Sequence, residues 1–209
     1  MSGSHVPLTV VVSYIRKRNI LYQGPIHAPA GLHRIIVALS NVYADCLIEL
    51  SIHAKALDKD YLVQCKKAVA ASEEKNKSLN IRFEDDGSGL NDGTDYSVYD
   101  VVMLASDCGE ISSIEAARAI RRGAVVLAAY PGETGLNFPV CSFEFDENSI
   151  AETIWTLLVD EDLRSSMIQD AEKAVEDYFS PDRQIQLIQG LVDQCSITLP
   201  KQKRVLLGG

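Results

Sequence analysis

Short apolar runs alternate along the chain with longer stretches in which apolar positions return every three or four residues. Runs of the first kind suit strands buried on both faces and stretches of the second suit amphipathic helices, so the alternation predicts a parallel sheet covered by helices. "NILYQG" (19–24) predicts a core strand ending on glycine, and 31–42 predicts a helix carrying Leu32, Ile35, Ile36, Leu39 and Val42 on one face. "CLIELSIH" (46–53), "LNIRFED" (79–85), "YDVVMLAS" (99–106) and "AVVLAAY" (124–130) predict further strands, with "PVCSFEFD" (139–146) a weaker last one. Helices are predicted over 59–75, 111–122, 149–159, 161–179 and 181–195, and the polar tract 85–95 reads as a loop. Gly123 closes the third helix, Pro131-Gly132 marks a turn, and Ser180 is the expected N-cap of a helix whose first residue is Pro181. Trp155, on an amphipathic helix, is expected in the core. The fold class is α/β: a Rossmann-like, doubly wound parallel sheet with helices on both faces and a helical C-terminus.

Composition narrows the function. The 209 residues are 46% hydrophobic, enough for a proper core, and residues 9–198 read as one domain between a leader (1–8) and a tail (199–209). A formal net charge of −9 argues against general attraction to nucleic acid or to an anionic membrane face. The longest apolar runs fall far short of the roughly 20 residues of a membrane span. Cys46, Cys65, Cys108, Cys141 and Cys195 are widely spaced, with no C-x-x-C pair and no histidine partner nearby. They read as reduced thiols in a cytoplasmic protein, with no metal site.

An open parallel sheet places its ligand beyond the carboxyl ends of its strands, which points to the loops 24–31, 53–58 and 106–113. Ser106, Asp107, Cys108, Gly109 and Glu110 lie between a buried strand and a helix, so amides around Ile111, Ser112 and Ser113 are free to meet a phosphate or a sugar hydroxyl. Glu110 has two readings on local grounds: a partner for sugar hydroxyls, or a cap that gains about 0.3–1 kcal/mol from the helix dipole. "PGETG" also has two, a plain tight turn or a pocket wall made of Gly132, Glu133 and Thr134. His53 ends the second strand, where a side chain would narrow the space above the sheet.

Four segments resemble, in order, the C-terminal, donor-binding domain of GT-B glycosyltransferases of the retaining family 4 type. They are "ILYQGPIHAPAGLHRIIVAL", "YDVVMLASDCGE", "EISSIEAARAIRRGAVVLA" and "LLVDEDLRSSMIQDAEKAVEDYFSPDRQIQLI". The resemblance implies one half of a GT-B fold, transfer of a sugar from a nucleotide-sugar donor to an acceptor with retention, and no cofactor beyond that donor. It also implies a second α/β half, as an N-terminal domain or a partner subunit, so the isolated domain is not expected to turn over efficiently and its closing helices should carry an exposed apolar strip. Glu110 falls on the first glutamate of the family's E-x7-E pattern, which contacts the donor sugar, and is the catalytic candidate. Gly24, His27, Ser106, Gly109, Ser112, Ser113, Glu115, Arg118, Gly132, Glu133 and Thr134 are the implied donor-binding residues.

The match departs from the family at three places. Arg118 stands where the second glutamate holds the ribose, and Pro25 and Ala30 replace an arginine and a lysine that neutralise the diphosphate. Glu115 lies just under one helical turn before Arg118 and is a candidate substitute. His27, His33, Arg34, Arg118 and Arg121 are candidate cations; His33 and Arg34 also suit a solvated helix face, and Arg121 and Arg122 suit a helix C-terminus. The alternative is a catalytically degenerate domain serving as an interaction or scaffold module. A flavodoxin-like regulatory domain would explain the alternation but not the four ordered segments.

Overall fold

The computed structural model describes residues 16–84, 94–105, 113–128, 141–142 and 146–198. Strand β1 (Arg16–Gln23) lies at the middle of the sheet because Ile20, Leu21 and Tyr22 are apolar in succession and fully buried on both faces. Around it stand β2 (Cys46–His53), β3 (Leu79–Glu84), β4 (Val101–Leu104), β5 (Val125–Ala128) and β6 (Cys141–Ser142). All pair in parallel in the order β3-β2-β1-β4-β5-β6. Alternate residues face opposite sides. Ile20 and Tyr22 join Ile48, Leu50, Ile52, Val101, Met103, Val125 and Leu127 under helices α1 (Leu32–Leu39), α2 (Lys59–Lys75) and α4 (Glu147–Val159). Leu21 joins Val102, Leu104, Val126 and Ala128 under α3 (Ser113–Ile120) and α5 (Glu161–Tyr178), where Ala116, Ala117, Ala119 and Ala171 let the helices sit close to the sheet. The chain ends its described part with α6 (Pro181–Thr198). The doubly wound α/β fold expected from the alternation is therefore the fold observed, and its strand order reverses between β1 and β4, the switch point at which such sheets hold ligands.

Local chemistry sets the element ends. Asp58, Asp146 and Asp160 cap α2, α4 and α5 by accepting from backbone amides, and the Arg183 amide donates to Ser180 Oγ at 3.4 Å at the start of α6. Asp146 starts α4 at Glu147, two residues before the expected boundary. β1 begins at Arg16, three residues early, because Arg18 belongs to a buried ionic cluster at the amino edge of the sheet. Its Nη1 donates to Asp100 at 2.7 Å and its Nε to the Leu158 carbonyl at 3.2 Å, while Arg164 Nη1 donates to the Leu157 carbonyl at 2.7 Å. Helix α1 ends at Leu39 instead of Val42, where Ser40 Oγ and the Ser40 amide both turn back to Val37 O. Trp155 is not a core residue: it is 45% exposed, with its indole N–H on the Tyr43 carbonyl at 3.2 Å. Of the weak last strand only Cys141–Ser142 is described; the leader, the tail, most of the loop 85–95 and the Pro131-Gly132 turn lie outside the described residues.

Candidate ligand-binding site

At the switch point the loop after β1 meets the end of β4. A Cβ on Gly24 would stand 2.6 Å from the Ala105 carbonyl oxygen, so this glycine is required by a close approach of backbone to backbone. The loop is then fastened to the segment after β2. Gly24 N–H donates to His53 O at 3.3 Å, Ile26 N–H to Lys55 O at 2.9 Å, and the amides of Leu57 and Asp58 both reach Ile26 O. Tyr22 Oη donates to Pro25 O at 3.0 Å from below. Pro25 is half-buried and Ala30 fully buried, so neither position offers a cation to a ligand.

Two histidines occupy this edge. His27 stands in extended backbone ahead of the short 3-10 turn Ala28–Ala30, and its Nε2 is enclosed without a hydrogen-bond partner. His53, the last residue of β2, has an enclosed Nδ1 likewise unpartnered, and its ring meets Tyr99 edge-on with centroids 6.4 Å apart. Enclosed polar atoms are nearly always paired, so these two nitrogens are the exceptions that call for a partner. The only other enclosed, unbonded side-chain nitrogen or oxygen among the described residues is Arg18 Nη2, which lies 4.0 Å from Glu161 in the ionic cluster.

His33 behaves differently. Its amide donates to Tyr61 Oη at 3.1 Å, and the same hydroxyl lies 2.8 Å from His33 Nδ1. The Tyr61 hydroxyl thus holds both the first amide turn of α1 and the His33 ring in place. Burial, then the nearby Arg34 charge, pushes the His33 pKa below its ordinary value, so His33 is not a cation for phosphate. Burial raises Tyr61 to about 12 and the neighbouring Cys65 thiol to about 11, which keeps this cluster uncharged. The start of α1 is thus stoppered by the protein's own hydroxyl.

A second network crosses the switch point on the other face. Tyr96 Oη, in the 3-10 turn Tyr96–Val98, donates to Gln23 Oε1 at 2.7 Å, and Gln23 Nε2 donates to Glu115 Oε1 at 3.2 Å. Gln23 ends β1 and is 2% exposed, so the carboxylate of α3 is tied directly to the carboxyl edge of the central strand. Burial, then the Glu115 charge, raises the Tyr96 pKa and keeps its proton in place for that bond. Ser113 opens α3 half-buried. Gly24, His27, Ser113 and Glu115 therefore gather at the loops and helix start beyond the carboxyl edge. Arg118 does not join them: it is exposed on the outer side of α3 and lines a cavity with Thr94–Ser97, Arg121 and Arg122. Ser106, Gly109, Glu110, Ser112, Gly132, Glu133 and Thr134 lie outside the described residues.

Sequence reasoning passed over Gln23, Tyr96 and Tyr61. A glutamine closing an otherwise apolar buried strand was a usable signal; the two tyrosines gave none, because their partners lie on other elements.

The sequence matches no protein-family model and no curated protein. Solved structures do match. The C-terminal domain of the group 1 glycosyl transferase LpcC from Francisella tularensis is 20% identical, with a TM-score of 0.61 over 80% of this chain and 89% of that one. A glycosyltransferase from Rickettsia africae is 15% identical, with a TM-score of 0.60 over 90% of this chain and 50% of that one. Anabaena HepE, solved with UDP and glucose, is 14% identical, with a TM-score of 0.59 over 87% of this chain and 49% of that one. At such identities the likeness establishes the fold alone, a Rossmann-like α/β domain of the kind these glycosyltransferases contain. This chain spans about half the length of the Rickettsia and Anabaena chains.

Proposed function

We propose that the chain is the donor-binding half of a retaining, family 4-like glycosyltransferase, and that it holds a nucleotide sugar at the β1/β4 switch point. The observation that carries this reading is the pair of enclosed, unpartnered imidazole nitrogens, His27 Nε2 and His53 Nδ1, at the ligand-bearing edge of a GT-B-type half. Once the two rings turn outward from their enclosed positions, a nucleoside diphosphate supplies oxygens that would accept from both when those nitrogens carry protons. In this proposal the histidines take over at the diphosphate from the arginine and lysine that Pro25 and Ala30 replace. Glu110 and the amides around Ser112 and Ser113 face the sugar. Glu115, oriented by Gln23 and Tyr96, stands in for the ribose-binding glutamate that Arg118 displaces. Gly109, Ser106 and the turn Gly132, Glu133 and Thr134 complete the pocket wall.

Charge gathers on the departing diphosphate during transfer, and one fixed donor aimed at such charge contributes about 3–4 kcal/mol to lowering the barrier. The reaction needs no metal in this scheme. A second α/β half brings the acceptor, and the exposed apolar residues Ile185, Leu187, Ile188, Leu191 and Val192 of α6 are its docking strip. UDP and UDP-glucose are the first ligands to try, because Anabaena HepE holds UDP and glucose on the same fold. Titration calorimetry of the chain with UDP, GDP, ADP and their glucose conjugates tests the proposal. Saturable heat with one nucleotide, weakened in Glu110→Ala, supports it; no heat with any of them overturns it in favour of a scaffold module.

A further inference from the structure

We propose that a second anion site lies between the 3-10 turn Tyr96–Val98 and the end of α3, and that it takes a small ligand carrying a phosphate or diphosphate group. The cavity there measures about 450 Å³ and is lined by Thr94, Asp95, Tyr96, Ser97, Arg118, Arg121 and Arg122. That is within the range of ligand pockets and larger than a bare ion requires.

Three guanidinium groups stand around one cavity in a chain whose formal net charge is −9. Arg118 is three and four residues from Arg121 and Arg122, the spacing at which like charges on a helix repel. The ion pairs among the described residues belong to Arg16, Lys17, Arg18 and Arg164, and none reaches this trio. The helix dipole favours cations in the last turn, but it does not call for three around a hydroxyl-lined hollow. Asp95 is the one carboxylate on the wall. It accepts from the Ser97 amide at 3.1 Å and from Ser97 Oγ at 2.7 Å, and these bonds, ahead of the nearby Arg122 charge, hold its pKa below the ordinary carboxylate value. The lining therefore carries three positive charges against one negative. Guanidinium forks pair with phosphate oxygens two bonds at a time, which makes a phosphate group the matching ligand.

Tyr96 borders both this cavity and the switch-point network, but the Arg121 and Arg122 end of the site lies away from the switch-point crevice. Helix α3 starts on the carboxyl side of β4 and ends, through Arg121, Arg122 and Gly123, at the amino end of β5, so these two arginines and the loop after β4 sit at opposite ends of one crossover. The inference does not depend on the donor reading.

Calorimetric titration of the 209-residue chain with inorganic phosphate, inorganic pyrophosphate and glucose 6-phosphate tests it, using Arg121→Gln/Arg122→Gln and His27→Ala as variants. Saturable binding of at least one probe is expected, falling about tenfold or more in the double arginine variant and unchanged in His27→Ala. The strongest of the three reports whether the source is a free anion or a phosphorylated sugar. Absence of saturation with all three overturns the proposal, and so does binding that survives the arginine changes or that disappears with His27→Ala, since the anion would then sit elsewhere. The two arginines are exposed, and an unchanged circular dichroism spectrum separates loss of binding from loss of fold.

Discussion

Replacing Gln23 by leucine removes the bridge between Tyr96 and Glu115 while keeping the size of the side chain. Tyr96 is buried and its hydroxyl donates to Gln23 Oε1 at 2.7 Å, so its loss of an acceptor costs about 1–3 kcal/mol. The bond to the Glu115 carboxylate, at 3.2 Å, is long for a charged acceptor and Glu115 is only half-buried, so its loss adds about 1.5 kcal/mol at most. The leucine methyls return about 1 kcal/mol of apolar burial. Taking about 2 kcal/mol for the tyrosine and about 1 for the carboxylate, less the roughly 1 returned, Gln23→Leu should lose about 2 kcal/mol, a large share of the roughly 5–15 kcal/mol that holds a domain together. Urea melts followed by circular dichroism read this as a lower midpoint at unchanged slope. Tyr96→Phe alone leaves Gln23 Oε1 unpaired, whereas the double variant removes both partners, so the cycle should show a coupling of about 1–2 kcal/mol. A loss below about 0.5 kcal/mol for Gln23→Leu, or single effects that simply add, would refute the network.

Three further outcomes follow from the geometry. Asp100→Asn withdraws the carboxylate facing the buried Arg18 and Arg164 and should cost about 3–5 kcal/mol, seen as a lower thermal midpoint. Gly24→Ala forces a Cβ against the Ala105 carbonyl and should cost about 1–3 kcal/mol in urea melts, while Gly190→Ala, with nothing within 4 Å of its added Cβ, should not destabilise. The Cys65 thiol ionises near 9.0 when unfolded but only near about 11 when folded. Stability from this group is thus complete below pH 9 and declines as pH rises from 9 towards 11, and Cys65→Val should flatten that part of a stability–pH curve.

The sheet and its covering helices were legible because their information is local. β2 and α2 fall where the period of apolar residues puts them, and Asp58 supplies the cap. Boundaries failed where a distant partner decided them: Arg18 lengthens β1 for the sake of Asp100 and the Leu158 carbonyl of α4. Trp155 failed for a related reason, since a large apolar ring on an amphipathic helix looks like core until its N–H is seen to need the Tyr43 carbonyl. At the site, the glycine loop and the helix starts were readable from spacing. The Tyr96–Gln23–Glu115 chain was not, because it joins residues 73 and 92 positions apart that only the parallel crossovers bring together. His33 looked like a spare cation, and only its burial beside the Tyr61 hydroxyl, 28 residues away, reveals a ring held towards the neutral form.

Nitrogen-15 NMR of the histidine imidazoles, recorded while UDP-glucose or UDP is added, addresses the donor site most directly. The account predicts that the His27 and His53 ring nitrogens shift together, saturate at one shared affinity, and stay still in Glu110→Ala at the same UDP-glucose concentration, with His33 unmoved throughout. Imidazole resonances of His27 and His53 that do not respond to either ligand, in a protein that binds that ligand by calorimetry, would contradict it.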